Sequence, residues 1–470
     1  MIVYAFLISI AILVWCFGFI LSGYELFSPA SITLLGYILS LLLGAIGLTS
    51  WNNSVLSSET IKILLVGFLG ILTATLIFGQ DKQLTHKGVR KVNTGTAHHV
   101  LDEEIKPWKC ICISLLLIFA CLLRVYESMK LGIQLGLDTS DYATLASNIR
   151  HSTSTLYSTD AIVEGIGYSF IEKQLEKIAY MSGFVVSFIL ALDMKNRKYK
   201  RFIGFLCIFV LCCIFQLLAG GRGMIFYWVI SFFVSHMLLV YHDLQQDERL
   251  HYSLIILRRG ALTALIIAAF MYFAGSLVGR EAQGSVLEYA SFYFGGSVPS
   301  LNTLLYSESL VLMDEPVHVF YSVYLFLLKI GKLNTLVPYS LSWINLNGHW
   351  SNIYTSFARY YFDYGIVGVY LLSLLSTSFL SIIYNRTKRA MKPYMIVITS
   401  YLSAFAFDSA REEFIFSRLI GTTQLVNIVM LVVIALFLTS NFSPAISEST
   451  DRASGMIDSD VFSIGNANYI

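Results

Sequence analysis

Four arginines, Arg222, Arg280, Arg411 and Arg418, each stand at or just beyond the end of a long apolar run. Arg222 lies within Gly220-Gly221-Arg222-Gly223, Arg280 is followed by Glu281, and Arg411 by Glu412 and Glu413. A guanidinium stays charged at any pH and offers a rigid fork of donors that matches phosphate oxygens. Gly221 and Gly223 let a ligand approach the backbone closely, so they join Arg222 as candidate contacts. The chemistry open to such residues is to grip an anionic ligand and stabilise charge that develops on it. The competing reading is ion pairing among the loops, for example Arg280 with Glu412 or Glu413.

A second set is aromatic and polar. Tyr293-Phe294-Gly295-Gly296-Ser297 precedes Asn302, and Asn347-Gly348-His349-Trp350-Ser351-Asn352-Ile353-Tyr354-Thr355 leads to Arg359 and Asp363. Aromatic rings stack on the C–H faces of sugars, and amides read hydroxyls. Asn352, Tyr354 and Arg359 are therefore candidate substrate contacts. His349 is a candidate general base or donor; beside Trp350 a purely structural role is equally open. Glu281 and Glu412 are the other candidates for the base.

These residues must be positioned by membrane helices. The chain has 470 residues, 56% of them hydrophobic and 13% charged, with mean hydropathy +0.68. A soluble domain carries roughly a quarter charged residues. A spanning helix needs about 20 mostly apolar residues. Runs of that kind lie near 2–22, 31–49, 60–79, 109–127, 173–192, 202–219, 224–241, 260–279, 364–384, 393–407 and 419–440. The expectation is an all-α polytopic membrane protein with about eleven spans, forming one transmembrane domain over 1–440. The run from Ile2 to Leu21 reads as the first span and not as a cleavable signal, because it is too long and lacks a basic leader.

Lysine and arginine in alternate loops set the orientation. Lys82 to Lys109, Lys195 to Arg201, Arg249 to Arg259 and Arg386 to Lys392 alternate consistently, which puts them in the cytoplasm, the N-terminus outside and the tail inside. The turn from Gly23 to Pro29 carries Glu25 and no basic residue, so its side rests on counting alone. The outer loops are then about 127–172, 220–223, 280–363 and 408–418. The long one is rich in Tyr, Phe, Leu and Trp and should carry short interfacial helices or a re-entrant segment. If Val317 to Ile330 spanned, the count would be twelve. The tail 441–470 is Ser-, Asp- and Asn-rich and expected to be disordered.

Several classes are disfavoured. A net charge of +2 gives no field to attract nucleic acid. Ionisable groups are absent from the centres of the expected spans, and no repeat is visible, which argues against an ion-coupled transporter. The seven cysteines sit in or at the ends of apolar runs, without partners at metal-ligand spacing, and read as small apolar residues. No paired outer carboxylates suggest a metal site, and no cofactor is expected.

Taken together, Gly-Gly-Arg222-Gly, Gly279-Arg280, Tyr293 to Ser297, Asn352 to Thr355 leading to Tyr364-Gly-Ile-Val-Gly368, and Ala410-Arg411-Glu412 before Arg418 resemble the oligosaccharide repeat unit polymerases (Wzy-type) of bacterial O-antigen and capsule assembly. The resemblance covers roughly residues 200–440. It implies a multi-pass glycosyltransferase of the GT-C type in the bacterial cytoplasmic (inner) membrane. Its substrates would be undecaprenyl-diphosphate-linked oligosaccharides on the outer side. Its partners would be membrane lipid, a chain-length regulator and a flippase. A diphosphate leaves without a strong general acid but needs its charge stabilised, and each preorganised donor contributes about 3 kcal/mol. The alternatives are a ligase that moves the finished glycan, and a flippase or transporter for the same lipid-linked sugar.

Overall fold

The computed structural model describes residues 2–51, 55–79, 105–149, 167–277, 285–306, 319–333 and 343–440. Its long helices are α1 (Ile2–Leu21), α2 (Pro29–Trp51), α3 (Ser58–Phe78), α4 (Pro107–Gln134), α5 (Phe170–Lys195), α6 (Tyr199–Leu218), α7 (Gly223–Tyr241) and α8 (Gln246–Leu277). There follow α9 (Val286–Ala290), a π-helical turn Ser291–Gly295, α10 (Ser297–Tyr306), α11 (Tyr321–Lys329), strands β1 (Ile344–Leu346) and β2 (His349–Ser351), α12 (Ser356–Ala390), α13 (Pro393–Asp408) and α14 (Thr422–Thr439). Among the described residues, nine helices are long and apolar enough to cross a membrane. They make the chain a multi-pass membrane protein that is predominantly helical among the described residues. The expected spans near 260–279 and 393–407 are helical too, as the second half of α8 and the 16-residue α13.

Packing follows from which helices are apolar all round. In α5, every residue from Met181 to Asp193 is buried, as expected of a helix with no polar face to turn outward. Around it gather α4, α6, α7, α13 and α14 in one continuous core. A second core joins α1, α2, α3 and α12 with α10 and the β1–β2 hairpin. Helices approach through small residues and shared hydroxyls, the usual means where lipid removes the hydrophobic drive. Gly36 of α2 lies against α13 so closely that a Cβ there would stand 2.0 Å from the Phe407 carbonyl oxygen. Ser231 and Ser400 hydrogen-bond at 2.8 Å between α7 and α13.

The two ends of the bundle differ in charge. At one end Glu25, 1% exposed, accepts from Arg249 at 2.8 Å and from Lys388 at 2.6 Å. Lys195 pairs with Asp243 at 2.6 Å at the same end. The turn after α1 therefore sits with the basic loops, and its lone acid is explained by two cations from different hairpins. At the opposite end, Ser57 donates its N–H to Asn302 at 2.8 Å, and Ser356 donates its N–H to the Ser409 carbonyl at 2.8 Å.

Some boundaries and motifs depart from the sequence reading. Helix α4 runs on to Gln134 and α5 starts at Phe170, so Arg124, Glu172 and Glu176 lie inside helices and not at the rim of a loop beginning near 127. Arg124 is buried, ion-paired with Glu172 and 3.6 Å from Glu176, and it covers the Tyr168 ring at 3.8 Å. Asn347-Gly348, read as part of a sugar surface, is a hairpin turn with both residues at positive φ (51° and 91°), so the all-α expectation gains one small β-ribbon. Within the stretch 317–330, the described helix α11 has nine residues, fewer than a span needs. Gly365, at φ 63° and ψ −161°, breaks α12 after its first turns, a conformation open essentially to glycine alone.

The segment from Val286 to Tyr306, within the expected long outer loop, forms two short helices either side of a π-helical turn. Ser285 and Glu288 cap its start reciprocally. It then packs side-on against α2: a Cβ on Gly295 would lie 2.2 Å from the Gly44 nitrogen, and Ser297 and Ser40 share a hydrogen bond of 3.0 Å. Gly44 precedes the end of α2 at Trp51 by two helical turns, so Gly295 sits about 10 Å below that end.

Candidate functional site

The dipping segment carries aromatic side chains that meet two of the four arginines. Gly220, at φ 67°, turns the chain after α6, and Arg222 follows as the residue that opens α7. Its side chain is 7% exposed. The guanidinium lies 4.9 Å from the Tyr289 ring centre and 5.4 Å from that of Tyr293, with Nη2 3.4 Å from the Tyr293 hydroxyl. Arg411 comes from the turn after α13 and stands 5.0 Å over the ring of Phe294. The neighbouring residues Tyr293 and Phe294 thus each carry one guanidinium. The π-helical turn supplies this fan of side chains, and such turns recur at functional sites.

Asp408, the last residue of α13, ties Arg411 into the bundle. Its Oδ1 lies 3.2 Å from Arg411 Nη1, and its Oδ2 accepts from the Tyr227 hydroxyl at 2.6 Å. The Arg411 Nε has no hydrogen-bond partner among the described residues. Glu413 turns inward and accepts the N–H groups of Phe416 (2.8 Å) and Ser417 (2.7 Å), folding the turn over the bundle. Burial holds the Glu413 carboxyl above its ordinary range, with those donors opposing the shift in part.

On the far side of Asp408 opens a cavity of about 210 Å³. Tyr180, Tyr227, Tyr401, Phe405 and Phe414 form its walls, with Asp408, Gln424 and Asn427 among its polar atoms. Glu412 and Arg418, paired at 2.6 Å and partly exposed, complete its lining.

The remaining candidates are placed as follows. His349, on β2, sets its ring 5.4 Å from Phe292 of the π-helical turn. Arg359, in the first turns of α12, is buried and acts electrostatically on Glu413 and Tyr321. Tyr354 is buried and Asn352 half-buried in the segment leading into α12. Gly223 has open space where a Cβ would go. At Gly221 a Cβ would lie 2.1 Å from Gln216 Nε2, the end of a flexible side chain. Arg280 and Glu281 lie outside the described residues.

Asp408, Tyr227, Tyr289, Gln424 and Asn427 were not singled out by sequence. Only Asp408 left a signal, an acid three residues before Arg411 at the end of an apolar run. Among the described residues, no group of three His, Cys, Asp or Glu is arranged to hold a metal ion. The fold and site define a multi-pass membrane protein with two aromatic-backed arginines, Arg222 buried and Arg411 partly exposed, at the end opposite its basic loops. No family model matches the chain, and neither a curated protein nor a solved structure matches it.

Proposed function

We propose that the chain is a polysaccharide repeat-unit polymerase with eleven spans and a GT-C-like arrangement. It transfers a growing glycan from its undecaprenyl diphosphate to the terminal sugar of the next lipid-linked unit, on the outer face of the bacterial cytoplasmic membrane. The observation that carries the reading is the meeting of Arg222 and Arg411 on adjacent residues, Tyr293 and Phe294, of one dipping segment. One buried and one partly exposed guanidinium at the edge of lipid suit a carrier whose diphosphate rides at that depth.

In this scheme the acceptor hydroxyl attacks the anomeric carbon as the bond to the diphosphate breaks. The electron pair leaves with the diphosphate, and Arg222 and Arg411 take up its charge in a site of low dielectric. The hydroxyl proton needs an acceptor. Asp408 joins Glu281, Glu412 and His349 as a candidate, supported by its position between Arg411 and the cavity.

The test is a deletion in the native host examined for glycan length. Single repeat units on the carrier or surface support a polymerase. Long chains retained on the carrier point to a ligase, and loss of outward-facing lipid-linked units points to a flippase.

A further inference from the structure

The cavity beyond Asp408 has the composition of a sugar site and not of an anion site. Its charged residues, Asp408, Glu412 and Arg418, sum to one negative charge, which repels a second diphosphate. Its volume of about 210 Å³ is several times the ~30 Å³ share of one water, the scale of a single sugar ring. Phe405 and Phe414 stack with their planes 3° apart.

The amides in this cavity are preset. Gln424 Oε1 accepts from the Tyr401 hydroxyl at 2.7 Å and from Asn427 Nδ2 at 3.1 Å, which fixes both side chains. Asn427 is 9% exposed, and its Oδ1 is buried with no hydrogen-bond partner among the described residues. Held by these bonds, Gln424 and Asn427 line the cavity as neutral polar groups among aromatic rings. A neutral polyhydroxyl ligand matches such a lining, with hydroxyls for the amides and an apolar face for the rings. The partly exposed Glu412–Arg418 pair gives entry from the aqueous side, where a lipid tail would not enter.

We infer that this cavity binds the terminal sugar of the acceptor glycan, on the other side of Asp408 from the diphosphate. The inference rests on the reading that Arg222 and Arg411 hold that diphosphate. The probe is the repeat oligosaccharide released from the host's surface glycan by mild acid, titrated against the purified full-length protein in nanodiscs. Wild type should bind it. Asn427→Leu should weaken binding at least tenfold and the near-isosteric Tyr401→Phe several-fold, while Arg222→Ala should leave it unchanged. No binding to wild type, equal binding by Asn427→Leu and Tyr401→Phe, or a co-purifying lipid in the cavity would overturn the inference. The diphosphate reading would still stand if Arg222→Ala nevertheless stopped chain extension, so the two failures are distinguishable.

Discussion

Gly44 and Gly295 meet backbone to backbone: a Cβ on Gly44 would stand 2.9 Å from the Gly295 carbonyl oxygen, and one on Gly295 2.2 Å from the Gly44 nitrogen. This contact lets the 286–306 segment sink beside α2, and the depth of that segment places Tyr293 and Phe294 between Arg222 and Arg411. Gly295→Ala must push the segment away from α2, because the obstructing atoms are backbone and cannot rotate aside. The overpacking should cost about 1–3 kcal/mol and remove most chain extension. Gly204→Ala, on α6 with nothing within 4 Å of the added carbon, should leave both unchanged. Thermal midpoints in detergent and glycan length in cells check the pair.

Glu25 joins three hairpins at the basic end. Glu25→Ala leaves Arg249 and Lys388, about one-fifth exposed or less, without their shared carboxylate. Breaking one partner of a buried pair costs about 3–5 kcal/mol; the partial exposure of both cations puts the loss near the lower end. By contrast, Lys62→Ala removes a pair with Glu59 whose side chains are 64% and 38% exposed, and should change stability by less than about 1 kcal/mol. Denaturation in detergent micelles separates the two.

The helices were legible because apolar runs of spanning length have no alternative in lipid. The depth of residues 291–297 was not: α2 reads as one unbroken apolar run, and nothing in it marks Gly44 as the partner of Gly295. Arg222 and Arg411 announced themselves as cations at the end that should lack them. Asp408 left only a weak signal, since an acid at the end of an apolar run reads as an ordinary loop anion until Tyr227 and Arg411 are seen to hold it. Asn427, an uncharged residue inside the apolar run 419–440, left no signal. The flanking glycines suggested ligand access at Gly221, and nothing in the sequence shows that the Gln216 side chain of α6 folds back beside it. The Asn347-Gly348 dipeptide carried a hairpin signal that its aromatic neighbours obscured.

Asp408→Asn keeps the size of the side chain and removes the charge. If Asp408 accepts the acceptor's proton, chain extension should fall about 100-fold or more, with oligosaccharide binding retained. Extension at the wild-type rate would return the role to Glu281, Glu412 or His349. Rates from purified protein, corrected for folded fraction by size-exclusion chromatography, decide it.

Charge on the leaving diphosphate is met by guanidiniums in this scheme. EDTA at millimolar concentration should therefore leave the rate of extension by purified protein unchanged. A loss restored by added Mg²⁺ or Mn²⁺ would show that a metal ion shares the work.

Lipid-linked repeat units extended by the purified protein in proteoliposomes give the decisive comparison. Wild type and the exposed-site control Arg258→Ala should both produce a ladder of lengths. Arg222→Ala and Arg411→Ala should each slow extension about 100- to 1,000-fold, and lysine at either position should restore little, because a point charge lacks the fork. Ladders from both alanine variants at the wild-type rate would contradict a diphosphate grip by these two residues.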